Sequence, residues 1–406
     1  MATTARSVVV TGFGCISALG HNSSQFWDKL KAGQTGISKT TYPSRQKLGD
    51  APVAEVKDYD PKKYFDAKSI RILDPNCQFA IIAADEAVQH AGINFTPDTG
   101  SRTGIIIGTG VASRESTDEI LEQYYKHNKS IPPYTLPKGL HNSSISNISI
   151  KYGITGPSWI VNTACASSNH AFGQAMELIR QNRADIMLAG GTETPLSVPF
   201  FKAWEALRIL DPVTCRPFSK DRQGLVLGEG SGIVVLEEEQ HALKRGAKIY
   251  CRLSGYGFST DAYDIMKVSP EGAARAVREA LSDASLRTED IDYINAHGTG
   301  TIINDQAETK IIHDVFGEHA DQLLISSTKS MHGHTLGAAG SLELIATILA
   351  MTNECIPPTI NFTGNDESCD LDYVPNKSRH KKIKSAISHN FAFGGLNAVI
   401  AVTCYS

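Results

Sequence analysis

Val161-Asn162-Thr163-Ala164-Cys165-Ala166-Ser167-Ser168-Asn169-His170-Ala171 sets one cysteine among small residues, immediately before a long helical pattern that starts near Ser167. Small neighbours let a substrate approach the sulfur. A helix N-terminus offers unpaired N–H groups and the positive end of its dipole, which lower a thiol's pKa and make the thiolate accessible at neutral pH. The same segment fits a buried structural cysteine equally well, since a free cysteine packs as a small hydrophobe. What surrounds it has to decide.

Outward from this segment, short β-branched runs alternate with longer amphipathic ones. Strands are expected at Ser7–Thr11, Thr103–Ile107, Ile186–Ala189, Gly232–Glu237, Ile249–Ser254, Tyr293–Ala296, Leu324–Ser326, Ala386–Ser388 and Ala398–Thr403. Helices are expected at Asp74–His90, Ser167–Gln181, Pro270–Asp283, Asp305–Phe316 and Gly337–Met351. Strand-then-helix alternation with near-continuously apolar strands predicts α/β layers, helices covering buried sheets. The cysteine-bearing helix followed by Ile186–Ala189 is echoed later, where Lys329–His334 leads into Gly337–Met351 and the terminal strands. Residues 1–250 and 251–406 therefore read as two related halves without a linker. The widest irregular tract, Asn128–Ser146, holds two prolines within Ile131–Tyr134 and is expected to wrap the surface or a partner.

Composition excludes several classes. With 406 residues, 41% hydrophobic and 20% charged, the chain reads as an ordinary soluble globular protein. A net charge of −4 gives no strong pull toward nucleic acid or membrane, though a local basic patch is compatible with it. The eight cysteines show no CxxC and no paired spacing, which fits free thiols in a reducing compartment. Polar Met1–Ser7 runs straight into Val8-Val9-Val10, too short for a signal h-region, and no run approaches the ~20 apolar residues of a membrane span. A cytoplasmic protein is expected.

Five further motifs are ambiguous one by one. Gly12-Phe13-Gly14 after Val8-Val9-Val10 invites a dinucleotide-binding reading, but Ser17 stands where a third glycine belongs and no strand with an acidic end follows on schedule. A tight strand-to-helix turn is the expected account. Gly228-Glu229-Gly230-Ser231-Gly232 precedes a strand, so its glycines suggest close backbone packing or a bulge. Asn295-Ala296-His297-Gly298-Thr299-Gly300-Thr301 puts a histidine at the end of an apolar strand, where α/β proteins place ligands and where a structural histidine also fits. Lys329-Ser330-Met331-His332-Gly333-His334 lies between a strand and a helix; two histidines in a glycine loop without further spaced ligands are poor evidence for zinc. His389-Asn390-Phe391-Ala392-Phe393-Gly394-Gly395-Leu396-Asn397 sits between two strands, with glycines that form a plain turn or aim N–H groups at an oxyanion.

As a set, one cysteine, two histidines and one lysine on strand-end loops, in this order, resemble the β-ketoacyl-[acyl-carrier-protein] synthases, the thiolase-like condensing enzymes. The resemblance runs from Val8 to Val402 and takes in Gly190-Gly191-Thr192-Glu193 and Arg216-Pro217-Phe218…Gly224…Gly228–Gly232. It implies a thiolase-like α/β fold of two related αβαβα halves forming five layers. Cys165, His297 and His334 match the Cys-His-His set of elongating type I and II synthases, not the Cys-His-Asn of type III enzymes or the second cysteine of degradative thiolases. Chain-length factors lack the cysteine.

The resemblance implies a decarboxylative Claisen condensation. Cys165 would carry the acyl group as a thioester, and the N–H groups of Cys165 and Phe393 would form the oxyanion hole. His297 and His334, both neutral, would hold the enolate; Lys329 would position and tune His334, with Glu343 pairing with it or ordering the site. Thr299 and Thr301 would bind the phosphopantetheine arm, Phe391 and Phe393 would gate the acyl pocket, and Val111 would line it. Lys68 and Arg71 would dock an acidic acyl carrier protein, which brings the substrate, so no organic cofactor is expected. Asn295, Glu343, Ser388 and Asn397 match positions that hold a structural monovalent cation in some relatives. A homodimer, or a heterodimer with a chain-length-factor-like subunit, is expected, with no nucleic acid and no membrane partner. Three departures, Ile302 after Thr301, Leu396 after Gly395 and His332 before Gly333, point to a specialised fatty acid, polyene or polyketide pathway. The alternatives are a coenzyme A-dependent thiolase-like acyltransferase, which would want a second cysteine near Phe391-Ala392-Phe393, and a non-catalytic chain-length partner, against which Cys165 and both histidines argue.

Overall fold

The computed structural model describes residues 6–405. Ten strands form one sheet: β1 Val8–Ser17, β2 Thr103–Gly108, β3 Ser158–Val161, β4 Ile186–Glu193, β5 Gly230–Glu238, β6 Cys251–Thr260, β7 Tyr293–Asn295, β8 Leu324–Ser326, β9 Ser385–Ala392 and β10 Leu396–Cys404. Their order is β8-β7-β9-β10-β6-β1-β5-β4-β2-β3. Both directions from the β6–β1 seam read alike. On one side β1–β5 and β5–β4 are antiparallel, then β4–β2 and β2–β3 parallel. On the other, β6–β10 and β10–β9 are antiparallel, then β9–β7 and β7–β8 parallel. The seam itself is narrow, pairing Val8–Val10 with Cys251–Leu253.

Helices complete five layers. Helix α1 (Pro75–Ala91) packs on β1 and β5, and α3 (Pro270–Asp283) packs on β6 and β10, each on an outer face. Between the halves lie α2 (Ser167–Arg180) and α5 (Ala339–Thr352), which touch strands of both. Every residue of α5 from Ala339 to Met351 is buried, as a helix apolar on all sides must be. This is the thiolase-like architecture.

Gly12 and Gly14 correct one expectation. They do not turn the chain; β1 runs through them, with a register shift between Val10 and Gly12. Their role is close approach: a Cβ at Gly12 would stand 2.3 Å from the Ala87 carbonyl of α1, and one at Gly14 2.3 Å from that of Ala83. Gly255 and Gly257 on β6 repeat the device, 2.3 Å and 2.1 Å from the carbonyls of Ala280 and Ala276 on α3. Two glycines facing a helix let it sit on the sheet without intervening side chains.

Other elements run past their expected ends. β4 continues to Glu193 and β9 to Ala392, because Thr192, Glu193, His389 and Asn390 are polar yet buried. β3 was not expected at all; it is an edge strand with Trp159 exposed. The tract Asn128–Ser146, expected as irregular, contains a short helix Thr135–Gly139 and the start of another, Ser143–Tyr152. It exposes Ile131, Tyr134, Leu136 and Leu140. Among the described residues no helix is long and apolar enough to cross a membrane.

Candidate active site

Cys165 sits in a short turn, Ala164–Ala166, between β3 and α2. Ala164 just before it holds φ +49°, a left-handed conformation that non-glycine residues rarely adopt. In the second half Leu336 (φ +46°) and Gly337 occupy the matching turn before α5. The two turns meet, and the His334 loop is thereby brought against the sulfur: His334 Nε2 lies 3.2 Å from Cys165 Sγ. The His297 ring stands edge-on to that of His334, centroids 5.4 Å apart.

The thiol is buried, and burial pushes its pKa up to about 12. Lys329 opposes that rise, the charge of Glu193 adds to it, and the N–H groups of Phe393 and of Cys165 itself favour the anion. The helix-terminus argument therefore predicted the wrong direction: a dipole end depresses a thiol only where the thiolate is not also stripped of water. His297 and His334 are held well below the ordinary histidine range, first by burial and then by the Lys329 ammonium. Both are neutral at physiological pH. The tautomer of His297 also follows, because its Nδ1 faces two donors, Lys329 Nζ at 3.4 Å and Asn390 Nδ2 at 3.5 Å. Nδ1 must carry the lone pair and Nε2 the proton.

Lys329 is fully buried and pairs with Glu343. Its second bond goes to the His297 carbonyl at 2.6 Å. Direct contact is thus with His297, not with His334 as expected; Lys329 reaches His334 only through its charge. Asn390 Nδ2 donates to the other Glu343 oxygen at 2.7 Å, closing the network. Glu308 on α4 (Ile302–Phe316) accepts from the N–H groups of His297 at 2.8 Å and Gly298 at 2.7 Å and so fixes the loop that carries His297. Thr299 and Thr301 follow on this loop, their hydroxyls 2.9 Å apart.

Val111 and Phe393 join Cys165 in one apolar cluster with Leu196, Phe201, Trp204 and Leu336. Trp204 stacks on Phe393, centroids 5.7 Å apart and planes 19° from parallel. Phe391 does not gate this cluster. It lies in the core of the second half with Ile294 and Val399 and meets His297 edge-on, whereas Phe393, past the end of β9, turns to the Cys165 cluster. Lys68 and Arg71 lie exposed on the short helix Ala67–Ile72, with no acidic partner among the described residues.

The expected cation positions divide. Asn295 and Ser388 are register partners on β7 and β9, and Asn295 Oδ1 and Ser388 Oγ are both buried without a partner. Asn295 Nδ2 donates to the Glu343 carbonyl at 3.2 Å, which places that oxygen beside them. Asn397 is elsewhere: it pairs with Phe391, and its Nδ2 is bonded to Asp261 Oδ1 at 2.6 Å. There it ties the Gly394-Gly395 turn to the segment after β6, where Asp261 N–H donates to the Gly395 carbonyl at 2.9 Å. Orphaned oxygens suit a cation at Asn295 and Ser388; Asn397 Oδ1 is orphaned too, but its register opposite Phe391 sets it apart from them.

Glu308, Asn390 and Trp204 escaped sequence reasoning. Asn390 acts on Glu343, remote in sequence, and Glu308 on backbone N–H groups of His297 and Gly298 beyond the turn before its helix, so no short spacing signals either. Trp204 was legible only as one aromatic in a polar-flanked stretch.

This geometry brings a buried cysteine against two neutral histidines. The β-ketoacyl synthase N-terminal domain matches residues 5–242 and the corresponding C-terminal domain matches residues 250–363. The chain belongs to the β-ketoacyl synthase family and is a condensing enzyme of the acyltransferase class. It is 43% identical over 397 residues to nodulation protein E of Rhizobium leguminosarum bv. trifolii, covering 98% of each chain. It is 40% identical over 407 residues to 3-oxoacyl-[acyl-carrier-protein] synthase 2 of Coxiella burnetii, again covering 98% of each. Among solved structures, the ishigamide ketosynthase/chain length factor aligns at TM-score 0.94 and 35% identity over 99% of this chain and 100% of that one.

Proposed function

We propose that the chain elongates acyl groups delivered on an acyl carrier protein, with Cys165 as nucleophile and His297 and His334 as the decarboxylation site. The observation that carries this reading is the convergence of His334 Nε2, 3.2 Å from Cys165 Sγ, with a His297 whose Nε2 bears the proton. Cys165 Sγ attacks the acyl thioester carbonyl while the N–H groups of Cys165 and Phe393 receive the oxyanion. The pantetheine sulfur leaves and takes up the thiol proton. Malonyl-carrier protein then binds along Thr299 and Thr301. Its carboxylate carbon–carbon bond breaks, carbon dioxide departs, and the electron pair remains as an enolate held by the two imidazole N–H groups. The enolate carbon attacks the Cys165 thioester, the carbon–sulfur bond breaks, and the thiolate is reprotonated. The chain grows by two carbons.

Neutral histidines suit this step, since an imidazolium would pair with the malonyl carboxylate and hold it back. Lys329, Glu343 and Asn390 keep His297 in its donor tautomer. Asn295 Oδ1, Ser388 Oγ and the Glu343 carbonyl would hold a structural monovalent cation, whose charge would offset the buried oxygens. No organic cofactor is required of the enzyme. Exposed Lys68 and Arg71 form the docking patch for the carrier. The edge strand β3 with Trp159, and the apolar tract Ile131–Leu140, form a subunit interface with an identical chain or a chain-length-factor-like partner. Residues 1–250 and 251–406 act as related halves, one supplying the nucleophile and the other the histidines. The likeness to nodulation protein E and Leu396 in the gate turn favour a specialised pathway. Free cysteines throughout the described residues suit the cytoplasm.

The test is incubation with acyl- and malonyl-carrier protein, following product mass, beside Cys165→Ala. A β-ketoacyl product two carbons longer, lost in the variant, supports the reading. No product and no Cys165 acylation, also after adding candidate partner subunits, refutes it.

A further inference from the structure

Glu193 ends β4 and is fully buried, yet no step above uses it. Its carboxylate is saturated by groups from separate loops. Oε2 accepts from Gly110 N at 2.6 Å and Gly337 N at 2.9 Å; Oε1 accepts from Val111 N at 2.9 Å and Thr109 Oγ1 at 3.0 Å. Thr109–Val111 is the strap that follows β2 and carries the pocket-lining Val111. Gly337 lies three residues past His334 in the turn that faces Cys165. Each of these peptides has its other end tied to the cysteine segment: Gly110 O accepts from Asn162 Nδ2 at 2.8 Å, and Gly337 O from Ser168 Oγ at 2.5 Å. There is no slack. A Cβ at Gly337 would stand 2.6 Å from Glu193 Oε2 and 2.4 Å from Gly110 N.

We infer that Glu193 is a positioning residue, whose carboxylate clamps the Val111 strap and the His334–Gly337 turn to each other and thereby holds Cys165, His334 and the acyl pocket in one register. This rests on the condensing-enzyme reading above. A neutral amide cannot replace it, because four converging donors require an acceptor on both oxygens. Glu193 also acts on the sulfur at a distance. The charged groups facing Cys165 are Glu193, which disfavours the thiolate, and Lys329, which favours it; burial raises the Glu193 carboxyl to about 7, so it carries its charge throughout the higher range where the thiol titrates, and His334 and His297 face the sulfur as neutral rings. Removing the Glu193 charge should thus ease thiolate formation while spoiling alignment. A merely structural residue would not separate the two.

Glu193→Gln and Thr109→Val, in the full chain, are compared with wild type in two assays. One is the pH dependence of Cys165 alkylation by iodoacetamide, read by mass spectrometry; the other is carrier-protein condensation. Glu193→Gln is expected to alkylate at lower pH than wild type and to condense at least tenfold more slowly. Thr109→Val, which removes one donor to Glu193 and the acceptor of the Ala112 N–H within the same strap and keeps the charge, is expected to lose about threefold in condensation with an unchanged alkylation profile. Condensation within twofold of wild type in both variants overturns the inference. So does a Glu193→Gln alkylation profile that coincides with wild type. Should Glu193→Gln fail to fold, Thr109→Val decides alone by the same twofold limit. A wild-type enzyme that makes no β-ketoacyl product would refute the condensing reading instead, and the alkylation arm would still judge Glu193.

Discussion

Replacing Lys329 by methionine strips a buried carboxylate of its counter-charge. Lys329 and Glu343 are both fully buried, and without the ammonium Glu343 retains one donor, Asn390 Nδ2 at 2.7 Å. Removing one partner of such a pair costs about 3–5 kcal/mol, because the remaining charge stays desolvated and uncompensated. Glu343→Leu should cost a similar amount, the ammonium then keeping only neutral partners on His297, the carbonyl at 2.6 Å and Nδ1 at 3.4 Å. The double variant Lys329→Met/Glu343→Leu buries no charge, and leaves the His297 carbonyl and Asn390 short of one bond each. It should lose about 1–3 kcal/mol, the penalty for unsatisfied polar groups, and so fall far short of the sum of the singles. Urea unfolding followed by tryptophan fluorescence supplies all four corners of the cycle. Activity is expected to behave differently. The double variant should regain stability with condensation still impaired, because His297 Nδ1 then faces Asn390 Nδ2 alone, at 3.5 Å, and the Lys329 charge is gone. A single variant destabilised by less than about 1 kcal/mol, or a double equal to the sum of the singles, would refute the reasoning.

Three further outcomes are expected. With the thiol pushed up to about 12, thiolate forms only as pH rises toward that value, so iodoacetamide labelling of free enzyme should climb with pH and show no plateau below pH ~10; a plateau near pH 7 would mean that the helix terminus outweighs burial. Trp204→Ala removes the stack on Phe393, an interaction worth about 0.5–1.5 kcal/mol, and should change the rate of Cys165 acylation by roughly two- to tenfold, alongside a stability loss of about 3–5 kcal/mol because Trp204 is buried in the cluster. An unchanged acylation rate would show that Phe393 moves without breaking that contact. Lys68→Glu with Arg71→Glu should raise KM for acyl-carrier protein and flatten its dependence on salt while kcat holds, as rim charges govern encounter; steady-state kinetics at two ionic strengths decides it.

Much of this molecule was legible in its sequence, for identifiable reasons. Apolar runs of period suited to two-sided burial marked most strands of the sheet and its buried helices. The four chemical motifs were visible because each concentrates glycine, small residues and a reactive side chain within a dozen positions. The duplication left a trace that periodicity alone passed over: Gly12-Phe13-Gly14 on β1 and Gly255-Tyr256-Gly257 on β6 make the same close contact with α1 and α3. Strand ends were misjudged where polarity was taken for exposure. Thr192-Glu193 and His389-Asn390 continue their strands as buried residues, because their partners, such as Asn76, Gly110, Glu308 and Glu343, lie tens of positions away in sequence.

The sequence by itself determined that a cysteine, two histidines and a lysine lie on loops at strand ends of a layered α/β protein. Only the tertiary structure decided what each of them touches. It moved Lys329 from His334 to His297, turned Phe391 out of the pocket, and took Asn397 from the cation set to the gate turn. It also reversed the direction of the Cys165 shift, since desolvation depends on what packs over the sulfur and not on the residues beside it. Local pattern is fixed by neighbours a few positions apart, whereas pairing, burial and charge depend on contacts between residues more than a hundred positions apart, such as His334 with Cys165.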